Sequence, residues 1–214
     1  MPVILKKTGD FSIDGAGGHP AWHAAQWYTL SRVGGKKNYE TRFRALYSDS
    51  GLYFLFECED KKLTCTMEQD FDDLYNEDVL ELFLQPDESV PLYLEYELSP
   101  LNRELVLLVS NRRGEYFGWL PFHYEKERRT RHKTRIQSGK ALPMADCRGW
   151  SAEVFLPFAL FEGVLTRPLA PGTVWRGNCF RIDYDDNEAS RYAYSSACGV
   201  EFHDYTKYDA FIFE

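Results

Sequence analysis

The chain has 214 residues, 44% of them hydrophobic and 27% charged, with a formal net charge of −8. That balance is globular and long enough for one sizeable core, so an intrinsically disordered chain is excluded, as is a nucleic-acid phosphate backbone as the main partner. Five cysteines, Cys58, Cys65, Cys147, Cys179 and Cys198, form no C-x-x-C pair; reduced, mostly buried thiols are expected rather than a disulfide framework or a zinc ribbon.

Taken in chain order, the first residues Met1 to Lys7 contain no long apolar run, and no later stretch approaches the ~20 apolar residues of a membrane span. The sequence as it stands therefore predicts a cytoplasmic protein, or an exported one whose leader has been removed. His19 to Leu30 predicts a short turn or helix opened by Pro20, and Pro157 to Phe161 begins with a proline suited to a first helical position. Everything else of regular pattern reads as strand: 41–47, 52–59, 78–84, 93–98, 104–111, 116–120, 133–138, 150–156, 178–184, 192–196 and 210–213. Turn signals at Asp49-Ser-Gly51, Pro86-Asp87, Asn111-Arg-Arg-Gly114 and Pro171-Gly172 separate many of them. The fold class expected is all-β: one domain over residues 1–214, a two-layer antiparallel β-sandwich with jelly-roll-like topology. The basic run Lys126 to Arg135 predicts a solvated hairpin or edge strand, and 137–148, with Pro143, a covering loop. Trp150 and Trp175 are expected to pack inside.

Two segments carry the chemistry. Asn76-Glu-Asp-Val-Leu-Glu-Leu-Phe-Leu84 and Leu92-Tyr-Leu-Glu-Tyr-Glu-Leu-Ser-Pro100 alternate with period two and place carboxylates between apolar residues. Successive side chains of a strand point to opposite faces, so Leu80, Leu82, Leu84, Leu92, Leu94, Tyr96 and Leu98 make the stripe that enters a core. Val79, Glu81, Phe83, Tyr93, Glu95 and Glu97 then share the other face, which sets aromatic rings beside acidic hydrogen-bond acceptors. Sugar binding uses that combination, because the C–H face of a pyranose stacks on a ring while its hydroxyls seek polar groups at the rim.

The order of segments resembles a known family. Ile13-Asp-Gly15 with Trp22 beyond it, Phe43-Arg-Ala-Leu-Tyr-Ser-Asp-Ser-Gly-Leu-Tyr53 and Asp60 come first. They are followed by Tyr75 to Leu84, Gly149-Trp-Ser-Ala-Glu-Val-Phe-Leu-Pro157, Trp175 to Asp183, and Phe202 to Phe213. This series is similar to the family 9 carbohydrate-binding modules and covers nearly the whole chain. The resemblance implies a jelly-roll sandwich, bound structural calcium, and a shallow slot in which two aromatic rings clasp a mono- or oligosaccharide in the service of polysaccharide breakdown. The ring positions, tryptophan in well-studied members, hold Tyr75 and Phe202 here, and Glu97 stands where those members carry a basic residue. Trp119 is a third ring candidate, with Asn76, Glu95, Glu97 and His203 at the rim.

For calcium, Asp183 and Asp185 lie in an acidic cluster that supplies hard oxygen ligands, and Asp14 and Asp60 recur in the family pattern beside turns. The acidic stretch Glu68 to Asp73 lacks the sixth-position glycine and twelfth-position glutamate of an EF-hand. Neither His19 and His23 nor Met67 has the companions that a transition metal or haem requires. The expected function is non-catalytic carbohydrate binding. One alternative is a small glycan-processing hydrolase using two of Glu81, Glu95 and Glu97, set against by the shallow slot a small sandwich offers, which leaves acids solvated. The other is an interaction domain that keeps the fold without the sugar.

Overall fold

The computed structural model describes all 214 residues. Fourteen strands follow in order: β1 (Val3–Lys7), β2 (Tyr28–Thr29), β3 (Ser31–Gly34), β4 (Thr41–Tyr47), β5 (Gly51–Cys58), β6 (Val79–Gln85), β7 (Leu92–Leu98), β8 (Glu104–Arg112), β9 (Glu115–Pro121), β10 (Arg131–Gln137), β11 (Gly149–Pro157), β12 (Val174–Asp183), β13 (Ser190–Ala193) and β14 (Asp209–Phe213). No α-helix forms. Short 3-10 turns stand where helices were expected, at Pro20–Ala24 and Phe158–Phe161.

One layer runs β10-β11-β5-β4, with β2 on β4; the other runs β14-β12-β6-β7-β8-β9, with β13 on β12 and β3 on β13. Most ladders are antiparallel, as expected. The exception is β1, which pairs in parallel with β14 through Val3 to Leu5 and with β4 through Lys6 and Lys7, splicing the two layers into one curled sheet. β1, β2 and β3 escape the alternation because two to five residues are too short a window for a period to declare itself.

The apolar stripes meet between the layers in a core of 33 buried residues that includes Leu80, Leu82, Leu84, Leu94, Tyr96 and Leu98, with Trp150 and Trp175 inside. The second half of the basic run falls as foreseen on an edge strand, β10, which pairs only with β11 and alternates exposed and half-buried positions, while Lys126–Arg128 form a 3-10 turn before it. All five cysteines are free.

Neither outer face is bare. Residues 11–25 fold over β4, β5 and β11 and bury Phe11, Ile13, Trp22 and Ala25 against Leu46, Tyr53, Leu55 and Phe155. Glu153 on β11 ties this segment down, accepting from the N–H groups of Asp14 and Gly15 at 2.7 and 2.6 Å and from the Trp22 indole at 2.7 Å. Gly15 turns the chain there with φ +84, a conformation glycine adopts freely. Glu153→Ala should strand these donors and lower unfolding free energy by about 2 to 4 kcal/mol, read from urea melts.

The outer face of the other layer is covered by the loops around Leu74 and residues 198–208, which close a second cluster of 14 buried residues over β6, β7, β8 and β12. The chemistry lies under that cover.

Candidate functional site

Register fixes the floor of the site. Glu81 of β6 stands directly across from Glu97 of β7 and from Phe180 of β12, and the next row sets Phe83 between Asn178 and Glu95. Paired residues share a face. The three glutamates therefore converge on the outer side, ringed by Val79, Phe83, Tyr93, Leu105, Leu107 and Phe180 of the second cluster.

The acids are not solvated. Glu81, Glu95 and Glu97 are 2%, 4% and 0% exposed, and Glu81 Oε2, Glu95 Oε2 and both oxygens of Glu97 have no hydrogen-bond partner outside the trio, in which a protonated Glu97 donates to Glu95. Burial raises all three carboxyls, Glu95 to about 8 and Glu81 and Glu97 well above the ordinary carboxylate range, with repulsion from Glu95 adding to the last two. The expectation that a small sandwich leaves such acids in water is overturned. The covering loops desolvate them, and strand alternation carries no information about those loops.

Tyr75 sits on the 3-10 turn Leu74–Asn76, which enters β6. Two contacts hold this turn: Asp78 accepts the Tyr184 N–H at 2.7 Å, and the Tyr184 hydroxyl donates to the Tyr75 carbonyl at 3.2 Å. Burial, with Asp73, Glu97 and Glu95 nearby, pushes the Tyr75 hydroxyl up to about 12. Its ring meets Trp119 of β9 edge-on, centroids 6.3 Å apart at 62°. Both rings are only partly buried and lie against the second cluster.

His203 borders the other side. Its ring is stacked between Tyr116 and Phe83, at 4.4 and 5.4 Å, and its Nδ1 shares a 2.6 Å hydrogen bond with the Tyr93 hydroxyl. The same nitrogen is 4.0 Å from Glu95 Oε2. Burial lowers this histidine to about 4, so it is neutral at pH 7.

Two site expectations need correction. Phe202 is no slot wall: it is 8% exposed and lies flat on Phe180 at 4.1 Å, its carbonyl accepting the Tyr208 hydroxyl. A phenylalanine has no polar edge to keep in water, so covering Phe180 is the favourable use of the ring. Asn76 is exposed and turns back on its own loop, donating to the Asp73 carbonyl at 3.3 Å. Sequence reasoning missed Tyr116, which takes the place expected of Phe202 as an exposed ring over the site. Its position on the face, paired with Asn111 just after the register shift in β8, could be read only once that shift was known.

The four aspartates chosen for calcium do not form a cation cage. Asp14 accepts the Ala16 N–H across its own turn at 2.8 Å, and Asp185 accepts the Tyr39 hydroxyl at 2.5 Å. Asp60 and Asp183 are both claimed by Arg181, whose Nη2 is 3.1 and 2.6 Å from them. The guanidinium, wholly buried, also donates to Thr41 and to the Glu59 carbonyl at 3.0 and 2.6 Å. The positive charge among these acids is thus covalent, and no group of three or more His, Cys, Asp or Glu side chains has an arrangement that holds a metal ion. The residues do not fit calcium. Arg181 lay in plain view in Phe180-Arg-Ile-Asp183; a lone cation at an inward position of an apolar strand is the signal that would have found it.

Comparison with known proteins follows the same outline. Residues 13–102 match the model of the family described as Carbohydrate family 9 binding domain-like. A rat protein, the UPF0462 protein C4orf33 homolog of Rattus norvegicus, is 31% identical over 97 residues, which are 45% of this chain and 40% of that one. Among solved structures, a Bacteroides uniformis protein to which carbohydrate binding is ascribed superposes over the full chain and 99% of its own, with TM-score 0.77 and 13% identity. Family 9 carbohydrate-binding modules from Caldicellulosiruptor kristjanssonii, one with cellotriose and one with glucose, superpose over 100% of this chain and 94% and 96% of theirs. Their TM-scores are 0.69 and 0.65, each at 15% identity. Over residues 13–102 the chain is thus similar in sequence to the carbohydrate family 9 binding domain-like family, and over its whole length it shares the fold of these solved structures.

Proposed function

We propose that the protein binds carbohydrate without cleaving it, on the outer face of the β6–β7–β8 layer. The observation that carries this reading is the set of unpartnered carboxyl oxygens on Glu81, Glu95 and Glu97 beside the partly buried rings of Tyr75 and Trp119. Rings give a pyranose a flat apolar contact, and the floor gives its hydroxyls polar partners whose desolvation is already complete. The match to the family model, and a fold shared with modules solved with glucose and cellotriose, support the same reading.

Hydrolysis would ask for something else. Two carboxyls must stand on either side of a scissile bond with a path for water. Here the three acids are neighbours on one floor: Glu81 is the direct cross-strand partner of Glu97, and Glu95 follows two residues away on the same face.

Calorimetric titration with mono- and oligosaccharides tests the reading. Tyr75→Ala should weaken binding by about 1 to 3 kcal/mol, roughly ten- to hundredfold, as loss of a stacking ring does. Unchanged affinity would place the sugar elsewhere. Release of reducing ends from the same oligosaccharides would make the protein a hydrolase instead.

A further inference from the structure

The floor of this site is unusual in what it lacks. Four carboxyl oxygens on three glutamates meet no donor from outside the trio, Glu97 in its protonated form donating to Glu95, and the only basic side chain within 4.0 Å of any of them is His203, which burial keeps neutral. The nearest influence of opposite sign on Glu81 is Arg191 of β13, which stays beyond ion-pair distance. Groups left so are costly to bury. The protein elsewhere pairs its buried acids fully: Glu153 takes three N–H donors, and Asp60 and Asp183 share Arg181.

The geometry points to a ligand that brings its own cation: a sugar bearing a free, protonated primary amine, held with its ammonium group against Glu81, Glu95 and Glu97. This rests on the carbohydrate-binding reading above and narrows its ligand class to amino sugars. An ammonium offers three N–H donors and a unit positive charge to carboxyls that otherwise share only their own protons, whereas a hydroxyl offers one neutral donor. Partly buried rings at the margin, Tyr75 and Trp119, favour a cation over their faces as well. A uronic acid is disfavoured by the same floor, since no guanidinium or ammonium reaches it.

Ionisation must accompany the event. An ammonium arriving among these carboxyls favours their charged form, so at least one proton leaves to solvent as the amine is bound. The groups that share this field are Glu81, Glu95 and Glu97 themselves, His203 and Tyr93 beside Glu95, Asp73 and Tyr75 beside Glu97, and Arg191 beside Glu81.

The test is calorimetric titration of the whole protein with glucosamine, glucose and N-acetylglucosamine, repeated at one pH in two buffers of different ionisation enthalpy. Glucosamine is expected to bind at least tenfold more tightly than either neutral sugar, with net proton release, and Glu97→Gln should erase both the preference and the proton release. Glucose or N-acetylglucosamine binding as tightly as glucosamine would overturn the amine assignment and leave carbohydrate binding intact. No heat with any of the three sugars, nor with cellotriose or a chitosan oligomer, would overturn both. If Glu97→Gln fails to fold, Glu95→Gln and the proton count of the unmodified protein decide the question by themselves: no proton release with glucosamine overturns it.

Discussion

Arg181→Met is expected to lower unfolding free energy by about 3 to 5 kcal/mol, the range seen when one partner of a buried ion pair is removed. The guanidinium is wholly buried at one end of the space between the layers, and its two terminal nitrogens have identified acceptors, Asp60, Asp183, Thr41 and the Glu59 carbonyl, while Nε has none. Methionine fills much of the same volume, so the loss reports on charge rather than on a cavity. Asp60 and Asp183 would be left to repel each other in a site that already raises both carboxyls. The damage should travel, because Asp60 also accepts from the Trp150 indole and from the Lys62 N–H, and so ties β11 to the end of β5. Urea melts near neutral pH measure the loss, and a change under 1 kcal/mol would mean that the cluster is compensated in some other way. Removing the acids with their partner, in a triple variant with Asp60→Asn and Asp183→Asn, should restore part of what the single change costs.

The free protein is expected to grow less stable as pH rises from 5 to 9. Glu95 sits at about 8 in the folded chain against an ordinary 4.5, and Glu81 and Glu97 are also raised. A group raised by folding contributes its full stability below its unfolded value and loses it as pH climbs through its folded value. Each such carboxyl therefore costs up to about 1.4 kcal/mol per pH unit, for Glu95 between about 4.5 and 8. His203 works in the opposite sense and over a lower window. Its folded value is depressed from 6.5 to about 4, so its stability is present above 6.5 and lost as pH falls toward 4. One histidine slope against the slopes of these three glutamates, and of Asp60, Asp78 and Asp183, which burial also raises, leaves a net decline with pH. Glu95→Gln should flatten this decline and stabilise the protein at pH 8 by about 2 to 4 kcal/mol, with little change at pH 5. Thermal melts at pH 5, 6.5 and 8 decide it, and a melting temperature that ignores pH would show that these acids have found partners.

How much could be read in advance follows from what each signal encodes. Period-two alternation in β6 and β7 reports which side chains share a face, and it placed Leu80, Leu82, Leu84, Leu94, Tyr96 and Leu98 inside and Glu81, Glu95 and Glu97 together on the outside. It is silent on what lies over a face. The segments that cover the glutamates, around Leu74 and from 198 to 208, have no strand period and fold as short 3-10 turns and loops, so the burial of the acids was not legible. The same blindness misplaced Phe202, whose position in the chain says it lies near the site but not that Phe180 waits beneath it. The aspartates failed for a different reason. Acidic density in sequence is equally consistent with a bound cation and with a buried arginine, and only the third dimension brings Arg181 to Asp60, 121 positions earlier in the chain. Tyr75 was chosen from its place in the family pattern and not from alternation, since it stands on the 3-10 turn before β6, where no strand period applies.

The first strand has a consequence for how the molecule is made. β1 closes the curl of the sheet by lying between β4 and β14, and its contacts with β14 join residues 3–5 to residues 211–213. During synthesis the first strand emerges with one neighbour soon to follow and the other not yet translated. Until the last strand leaves the ribosome, β1 keeps a free edge, β12 lacks the partner for Val174 to Gly177, and neither layer is sealed against the other. Closure is thus a long-range and late event, of the kind that makes folding slow. A nascent chain paused before residue 209 should be a ready client for chaperones and, at high expression, a seed for edge-to-edge aggregation.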